Sequence, residues 1–152
     1  MKTADKTANA ANAENAANAV NAANSANAVP AANAGNTGNT GNTDDVIAIL
    51  TNAPDQTLAR QMGAALVNLK LAACVNILGA CESVYRWQGA VQTAREFPLM
   101  VKTTRARYAE IEAVIIRMHP YGVPEIIVLD IRHGLPAYLD WVRSETAVSL
   151  VA

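Results

Sequence analysis

CESVYRWQGAVQTAREFPLMVKT, residues 81–103, decides the fold, because two strand-like segments in it flank a polar turn. The first segment is CESVYRW, the second is REFPLMVKT, and the turn region between them begins with Gln88 and Gly89. Two strands with so short a connection are expected to form a β-hairpin. Pro98 lies inside the second segment, where it has no N–H for the ladder, so it predicts a sheet edge or a bulge.

Strand and helix patterns precede this hairpin. VIAIL, residues 46–50, and ACVNIL, residues 73–78, are short apolar runs typical of buried strands. Between them, residues 56–70 carry apolar side chains at helical spacing, and Asp55 is well placed to cap that helix. The apolar stripe of this helix consists of Leu58, Met62, Ala65, Leu66 and Leu69.

The same alternation follows the hairpin. A second helix is predicted from about Thr104, and HPYGVPE, residues 119–125, ends it because proline disfavours helix continuation. IIVLDI, residues 126–131, is the last predicted strand, and a short terminal helix begins at Pro136. The apolar face of the second helix consists of Tyr108, Ile111, Ile115 and Met118.

The element order β-α-β-β-α-β, followed by a helix, predicts an α+β fold. This order is typical of the ferredoxin-like sandwich, in which helices cover one face of an antiparallel sheet. Residues 44–152 are long enough for one such domain with a compact core. The architecture hosts many functions, so it does not fix this one.

Residues 1–43 have a different composition from the rest of the chain. They consist mainly of Asn, Ala, Thr and Gly, with scarcely a large side chain. Such a stretch buries too little apolar surface to offset the entropy of ordering it, so we predict a disordered leader. A fraying alanine-rich helix is the alternative, which the frequent asparagines oppose.

Composition and charge exclude several classes of protein. The formal net charge of −1 argues against nucleic-acid binding. No apolar run is long enough to span a bilayer, and the leader lacks the features of a secretory signal, so we expect a cytoplasmic protein without a membrane partner. The two cysteines, Cys74 and Cys81, match no close-paired zinc or redox pattern and are expected to be reduced.

Six short motifs occur in a fixed order along the domain. They are APD (53–55), LAACVNI (71–77), VYRWQG (84–89), KTT (102–104), HPYGVPE (119–125) and YLDWV (138–142). In order and spacing they resemble the CutA family, which is named for divalent-cation tolerance. The resemblance covers residues 45–147, and residues 1–43 have no counterpart in the family core.

The resemblance implies an assembly and a function. The assembly is a homotrimer like that of the PII signalling proteins, in which the long hairpin of one subunit pairs with a neighbour. Exposed hairpin edges favour such pairing, and a monomer whose hairpin folds back on its own sheet is the alternative. The implied function is a non-enzymatic role in tolerance of copper or another divalent cation. The competing class is a PII-like regulator that binds a small molecule and has no metal role.

Common catalytic motifs are missing from the sequence. It contains no phosphate loop of the Gly-Lys-Ser/Thr type, no HExxH and no GxSxG. Acylphosphatases share the fold class, but they need an arginine-bearing phosphate loop where this chain has TNAPD. We therefore expect no enzymatic activity, and a weak hydrolase is a distant alternative.

The resemblance gathers a candidate ligand site near clefts between subunits. Aromatic walls with a few charged groups are the usual design of a small-ligand pocket. Alternatively, Glu96 and Lys102 form a structural ion pair and the aromatic residues pack at an interface. Gln88 and Ala90 depart from the Glu and Lys that the family often carries there. The candidate ligand-binding residues are Tyr85, Trp87, Glu96, Lys102, Tyr121 and Glu125.

His119 is the candidate metal ligand. It matches a histidine that some family members use for copper, a metal that neutral imidazole binds well. Met118 and Thr51 stand where those members carry a second histidine and a cysteine, so a three-ligand site is not evident. The alternative role for His119 is to end its helix and hydrogen-bond locally. Cys74 begins an apolar strand, where a free cysteine often packs as a small hydrophobe.

Overall fold

The computed structural model describes residues 41–147. Residues 1–40, which make up most of the predicted disordered leader, lie outside the described residues. The elements are β1 (Val46–Ala53), α1 (Gln56–Asn68), β2 (Cys74–Ile77), β3 (Cys81–Trp87), β4 (Ala90–Thr104), a 3₁₀ turn (Arg105–Arg107), α2 (Tyr108–Met118), β5 (Ile127–Asp130) and α3 (Pro136–Glu145). The predicted order of strands and helices is confirmed.

β4 is the central strand of the sheet and has three partners. Residues 90–96 pair with β3, and residues 97–104 pair with β1. On its other side β4 also pairs with β2, so Val101 lies between Ile49 and Val75. The described order is β2-β4-β1-β5, with every pair antiparallel. This is the ferredoxin-like topology, extended by the long β3–β4 hairpin.

One face of the sheet packs against α1 and α2. Ile47 and Ile49 of β1 lie on this face and are fully buried. The helices bury Leu66 and Ile115 against them, and each such side chain contributes about 1.5–3 kcal/mol by leaving water. The predicted cap of α1 is confirmed, since Asp55 Oδ1 accepts a 2.8 Å hydrogen bond from the Leu58 N–H.

The start of α2 differs from the sequence prediction. The sequence predicts a helix from about Thr104, but β4 continues to Thr104, which pairs with Val46, and α2 begins at Tyr108 after the 3₁₀ turn. Contacts on the second face of the sheet hold Thr104 in the strand. Its hydroxyl lies 3.3 Å from that of Thr146, just beyond α3. α3 therefore covers this end of the second face, where Val142 is fully buried.

Pro98 lies at a bulge, which agrees with the prediction from its position in the hairpin. Ile77 pairs with Leu99 and Cys81 with Glu96, so three residues, 78–80, lie opposite two on β4. The Pro98 carbonyl accepts a 2.8 Å hydrogen bond from Leu78 on that side, and the missing proline N–H faces the same way. Because the proline nitrogen faces the bulge, no backbone hydrogen bond between β4 and β1 is lost.

The backbone of the domain is hydrogen-bonded from its first residues onward. The carbonyl of Thr43 accepts a 2.9 Å hydrogen bond from the Ala106 N–H, so backbone bonding begins just before Asp44. Within residues 41–147, no helix has the length and apolar character that a membrane crossing requires.

The hairpin turn requires positive φ angles at both of its central residues. Gln88 has a φ of 48° and Gly89 a φ of 82°, as in the type I′ turns that match the twist of paired strands. A side chain at Gly89 would meet no neighbouring atom within 4 Å. Any cost of replacing Gly89 therefore comes from the backbone angle and not from crowding.

We expect Gly89→Ala to lower the free energy of unfolding by about 1 kcal/mol, because an L-residue is disfavoured at this angle. Chemical denaturation of the full chain measures the change. Gly79→Ala is the matched control, since Gly79 is equally uncrowded and does not have a positive φ. An equal loss in both variants would contradict the role assigned to the turn.

Candidate functional site

A cleft of about 600 Å³ lies between the hairpin, the end of β1 and the loop after α2. A cavity of this size accommodates a small organic ligand. Its lining residues come from all three segments: Asn52, Ser83, Val84, Tyr85, Trp87, Glu96, Tyr121, Gly122, Val123 and Glu125.

The hairpin provides one wall of the cleft. Ser83, Tyr85 and Trp87 alternate along β3, so strand geometry places them on one face. Glu96 pairs with Cys81 in the adjacent strand and shares that face. Trp87 is 50% exposed, whereas Glu96 is only 6% exposed. The wall therefore presents open aromatic surface above a buried carboxylate.

The loop after α2 provides the opposite wall. Asn52 Nδ2 donates a hydrogen bond to the Glu125 carboxylate, which ties the end of this loop to β1. Tyr121 and Glu96 both line the cleft, where the Tyr121 hydroxyl interacts with the Glu96 carboxylate. Burial raises the pKa of Tyr121, and the negative charge and hydrogen bond of Glu96 raise it further, with a smaller effect from Tyr85.

His119 joins this loop to β1 and orients Tyr121. Its Nδ1 accepts a 3.1 Å hydrogen bond from the Tyr121 N–H, so Nε2 carries the proton and donates to the Asn52 carbonyl at 2.7 Å. The two rings meet edge to face, with their centroids 4.7 Å apart. The backbone N–H of His119 also donates a hydrogen bond to the Ile115 carbonyl, and this bond ends α2. Local hydrogen bonding thus occupies both ring nitrogens.

The surroundings of His119 do not form a ready-made copper site. Met118 packs against the apolar core, and the Thr51 hydroxyl is buried without a hydrogen-bond partner. In the part of the chain that the structure describes, no three His, Cys, Asp or Glu side chains are grouped to hold a metal ion. A copper ion at His119 would have to displace one of its two ring hydrogen bonds.

Lys102 lies apart from the cleft. It is six residues beyond Glu96 on one extended strand, a separation of about 20 Å, so the two cannot form an ion pair within one chain. Lys102 Nζ instead lies 3.9 Å from Cys74 Sγ. Burial raises the pKa of Tyr138, and its interaction with Cys74 raises it further. Both Cys74 and Cys81 are free thiols.

The structure thus brings together five of the six candidate ligand-binding residues within a single chain, all except Lys102. Sequence reasoning missed five other lining residues. The two-residue period of β3 was a usable signal for Ser83, which shares the spacing of Tyr85 and Trp87. Asn52 carried no such signal, because its contact with Glu125 joins residues 73 positions apart. The other three missed residues are Val84, Gly122 and Val123.

The model of a known protein family matches this domain over almost its full length. The model of the family described as "CutA1 divalent ion tolerance protein" matches residues 47–145. The chain belongs to this family. The match includes the hairpin, the loop with His119 and both walls of the cleft.

Two relatives show how far the sequence similarity extends. The chain is 44% identical over 98 residues to the divalent-cation tolerance protein CutA of Thermus thermophilus, covering 64% of this chain and 95% of that one. It is 38% identical over 95 residues to the Protein CutA homolog of Xenopus laevis, covering 62% of this chain and 63% of that one.

A solved structure agrees with the fold. The CutA of Archaeoglobus fulgidus superimposes with a TM-score of 0.65 at 35% identity, covering 66% of this chain and 98% of that chain. That relative is described as a periplasmic divalent cation tolerance protein. The cytoplasmic location expected from the present sequence therefore stays a prediction.

The contact between Tyr121 and Glu96 is directly testable. We expect Glu96→Gln to lower the pKa of Tyr121 while leaving it above the ordinary tyrosine value, because burial, the largest cause, remains. NMR titration with ¹³C-labelled tyrosine measures it. Tyr138 is the internal control, since burial and Cys74 raise its pKa and Glu96 does not. An unchanged Tyr121 titration would show that the two groups are not in contact in solution.

Proposed function

We propose that this chain is a non-enzymatic homotrimer that serves divalent-cation tolerance by binding a small ligand in the cleft. The names of its relatives support the tolerance role. The cleft itself supports ligand binding, because open aromatic walls above a buried carboxylate combine apolar surface with a fixed polar group. The lack of familiar catalytic motifs in the sequence supports the non-enzymatic role.

Two exposed features of the domain support the homotrimer. β3 pairs only with β4 among the described strands, so the backbone groups on its outer edge are available to another strand. On the sheet face opposite α1 and α2, Ile127 and Leu129 are 47% and 44% exposed. Contiguous apolar surface of this kind is typical of an interface. In the proposed trimer, the outer edge of β3 pairs with a strand of a neighbouring subunit and this apolar face is covered, while the aromatic face of the hairpin still lines the cleft.

Native mass spectrometry at micromolar concentration is expected to show a trimer. Leu129→Glu should dissociate it, because a charge would be buried at the interface. Ile116→Glu is the matched control, since Ile116 is 55% exposed on the outer side of α2. A monomeric wild type, or equal effects of the two substitutions, would refute the proposed assembly.

Copper binding has a secondary place in this proposal. We propose His119 as a weak copper ligand whose affinity is limited by the two hydrogen bonds that copper must break. The missing donors at Met118 and Thr51 limit it further. The tolerance role then depends mainly on the cleft, and tight stoichiometric copper binding by the wild-type chain would contradict this proposal.

Calorimetry with Cu(I), Cu(II) and Zn(II) tests this assignment. We expect weak copper binding, reduced about tenfold or more by His119→Ala, because a lost ligand costs at least as much as a lost supporting contact. Adding Met118→His and Thr51→Cys together should raise the affinity. His133→Ala is the control, since His133 is exposed in the loop before α3. Copper binding that survives His119→Ala would redirect attention to Cys74 and Cys81.

A further inference from the structure

We propose that the ligand of the cleft is an organic cation with N–H donors, a protonated amine on an apolar body. The ammonium group would bind the Glu96 carboxylate, and the body would lie against Tyr85, Trp87 and Tyr121. This inference rests on the proposed function, because it names the class of ligand that the cleft takes.

The charge of the cleft carries the first step. Its lining residues include two carboxylates, Glu96 and Glu125, and no basic side chain. Arginine pairs with an acid at three places among residues 41–147, and neither of these two glutamates takes part. A buried carboxylate without a cationic partner is unfavourable. A positively charged ligand would supply the missing partner.

Glu96 keeps free hydrogen-bonding capacity for such a ligand. The neighbouring Tyr121 hydroxyl can fill one of the about four acceptor positions of this carboxylate. Glu125 receives one hydrogen bond from Asn52. An ammonium group offers three N–H donors, so one ligand nitrogen can satisfy several of the remaining positions. A quaternary cation without N–H groups would leave them unpaired.

Neighbouring basic residues are held away from Glu96. Arg95 is adjacent in β4 and points to the opposite face of the hairpin, where its guanidinium lies 5.6 Å from the Phe97 ring centre. The His119 ring touches Tyr121, but its Nδ1 accepts a hydrogen bond and therefore carries no proton. Neither side chain neutralises Glu96 within this chain.

The aromatic walls distinguish an organic cation from a metal ion or an anion. Aromatic faces attract ammonium groups through their quadrupole, typically by about 0.5–2 kcal/mol. Hard divalent ions are held by about six or more oxygen ligands, usually with several carboxylates among them, and no three His, Cys, Asp or Glu side chains are grouped to hold a metal ion among residues 41–147. Phosphate-bearing ligands such as nucleotides would face Glu96 and Glu125 without a basic partner. The cleft chemistry therefore favours an amine over both.

Three probes of similar size test the ligand class on the full-length protein. They are 2-phenylethylamine, which is protonated at pH 7, neutral 2-phenylethanol and anionic phenylacetate. Calorimetry gives the affinities, and the indole NMR signal of Trp87 reports binding in the cleft. We expect the amine to bind at least tenfold more tightly than the alcohol, and phenylacetate to bind more weakly than either.

Two substitutions assign this preference to Glu96. Glu96→Gln should reduce the amine-to-alcohol ratio to about one while leaving the affinity for the alcohol unchanged. Glu82→Gln is the matched control, because Glu82 is an exposed carboxylate on the opposite face of the same hairpin. It removes the same charge and should preserve the ratio. An equal loss in both variants would overturn the role of Glu96.

The remaining outcomes separate this inference from the function on which it rests. If the alcohol or phenylacetate shifts the Trp87 signal and binds as tightly as the amine, the cleft is a ligand site and the inferred cation is wrong. That result is also expected if a basic group of another subunit neutralises Glu96. If no probe shifts the Trp87 signal at millimolar concentration, the ligand function of the cleft is contradicted as well.

Discussion

The antiparallel pairing of β4 is the constraint on which the rest of this structure depends. Fifteen residues of one strand bind β3 first and then lie between β1 and β2. The second half of β4, residues 97–104, lies in the part of the sheet that packs against α1 and α2. The first half, residues 90–96, belongs to the hairpin that lines the cleft. The bulge at Pro98 marks the change between them, and Glu96 lies just before it. Core and cleft are therefore fixed by one continuous piece of backbone.

Local signals in the sequence were enough to predict most of the fold. The helical spacing of α1, the cap at Asp55, the turn at Gly89 and the proline at the start of α3 each act within a few residues. They were therefore visible without tertiary information. The start of α2 was predicted too early because Thr104 is kept in β4 by Val46 and Thr146, which lie about 40 residues or more away in the chain.

The candidate site was less predictable for the same physical reason. Residue types indicated an aromatic and acidic pocket, and five of the six named residues line the cleft. Their convergence in one chain depends on contacts between distant segments, such as Asn52 with Glu125. The separation of Lys102 from Glu96 follows from β4 being extended over both residues. The hydrogen bond of His119 Nε2 to the Asn52 carbonyl also joins distant segments, because Asn52 lies at the end of β1.

The pairing of β1 also has a consequence for the order of folding. Its partners, β4 and β5, are about 45 to 80 residues away in sequence, so closing these contacts costs much chain entropy. The hairpin of β3 and β4 needs only a two-residue turn, and hairpins close in about 1–10 μs. The hairpin that lines the cleft can thus form before the core does. We therefore expect the pairing of β1 with β4 and β5 to be the slower step, because folding slows as contacts join residues farther apart in the chain.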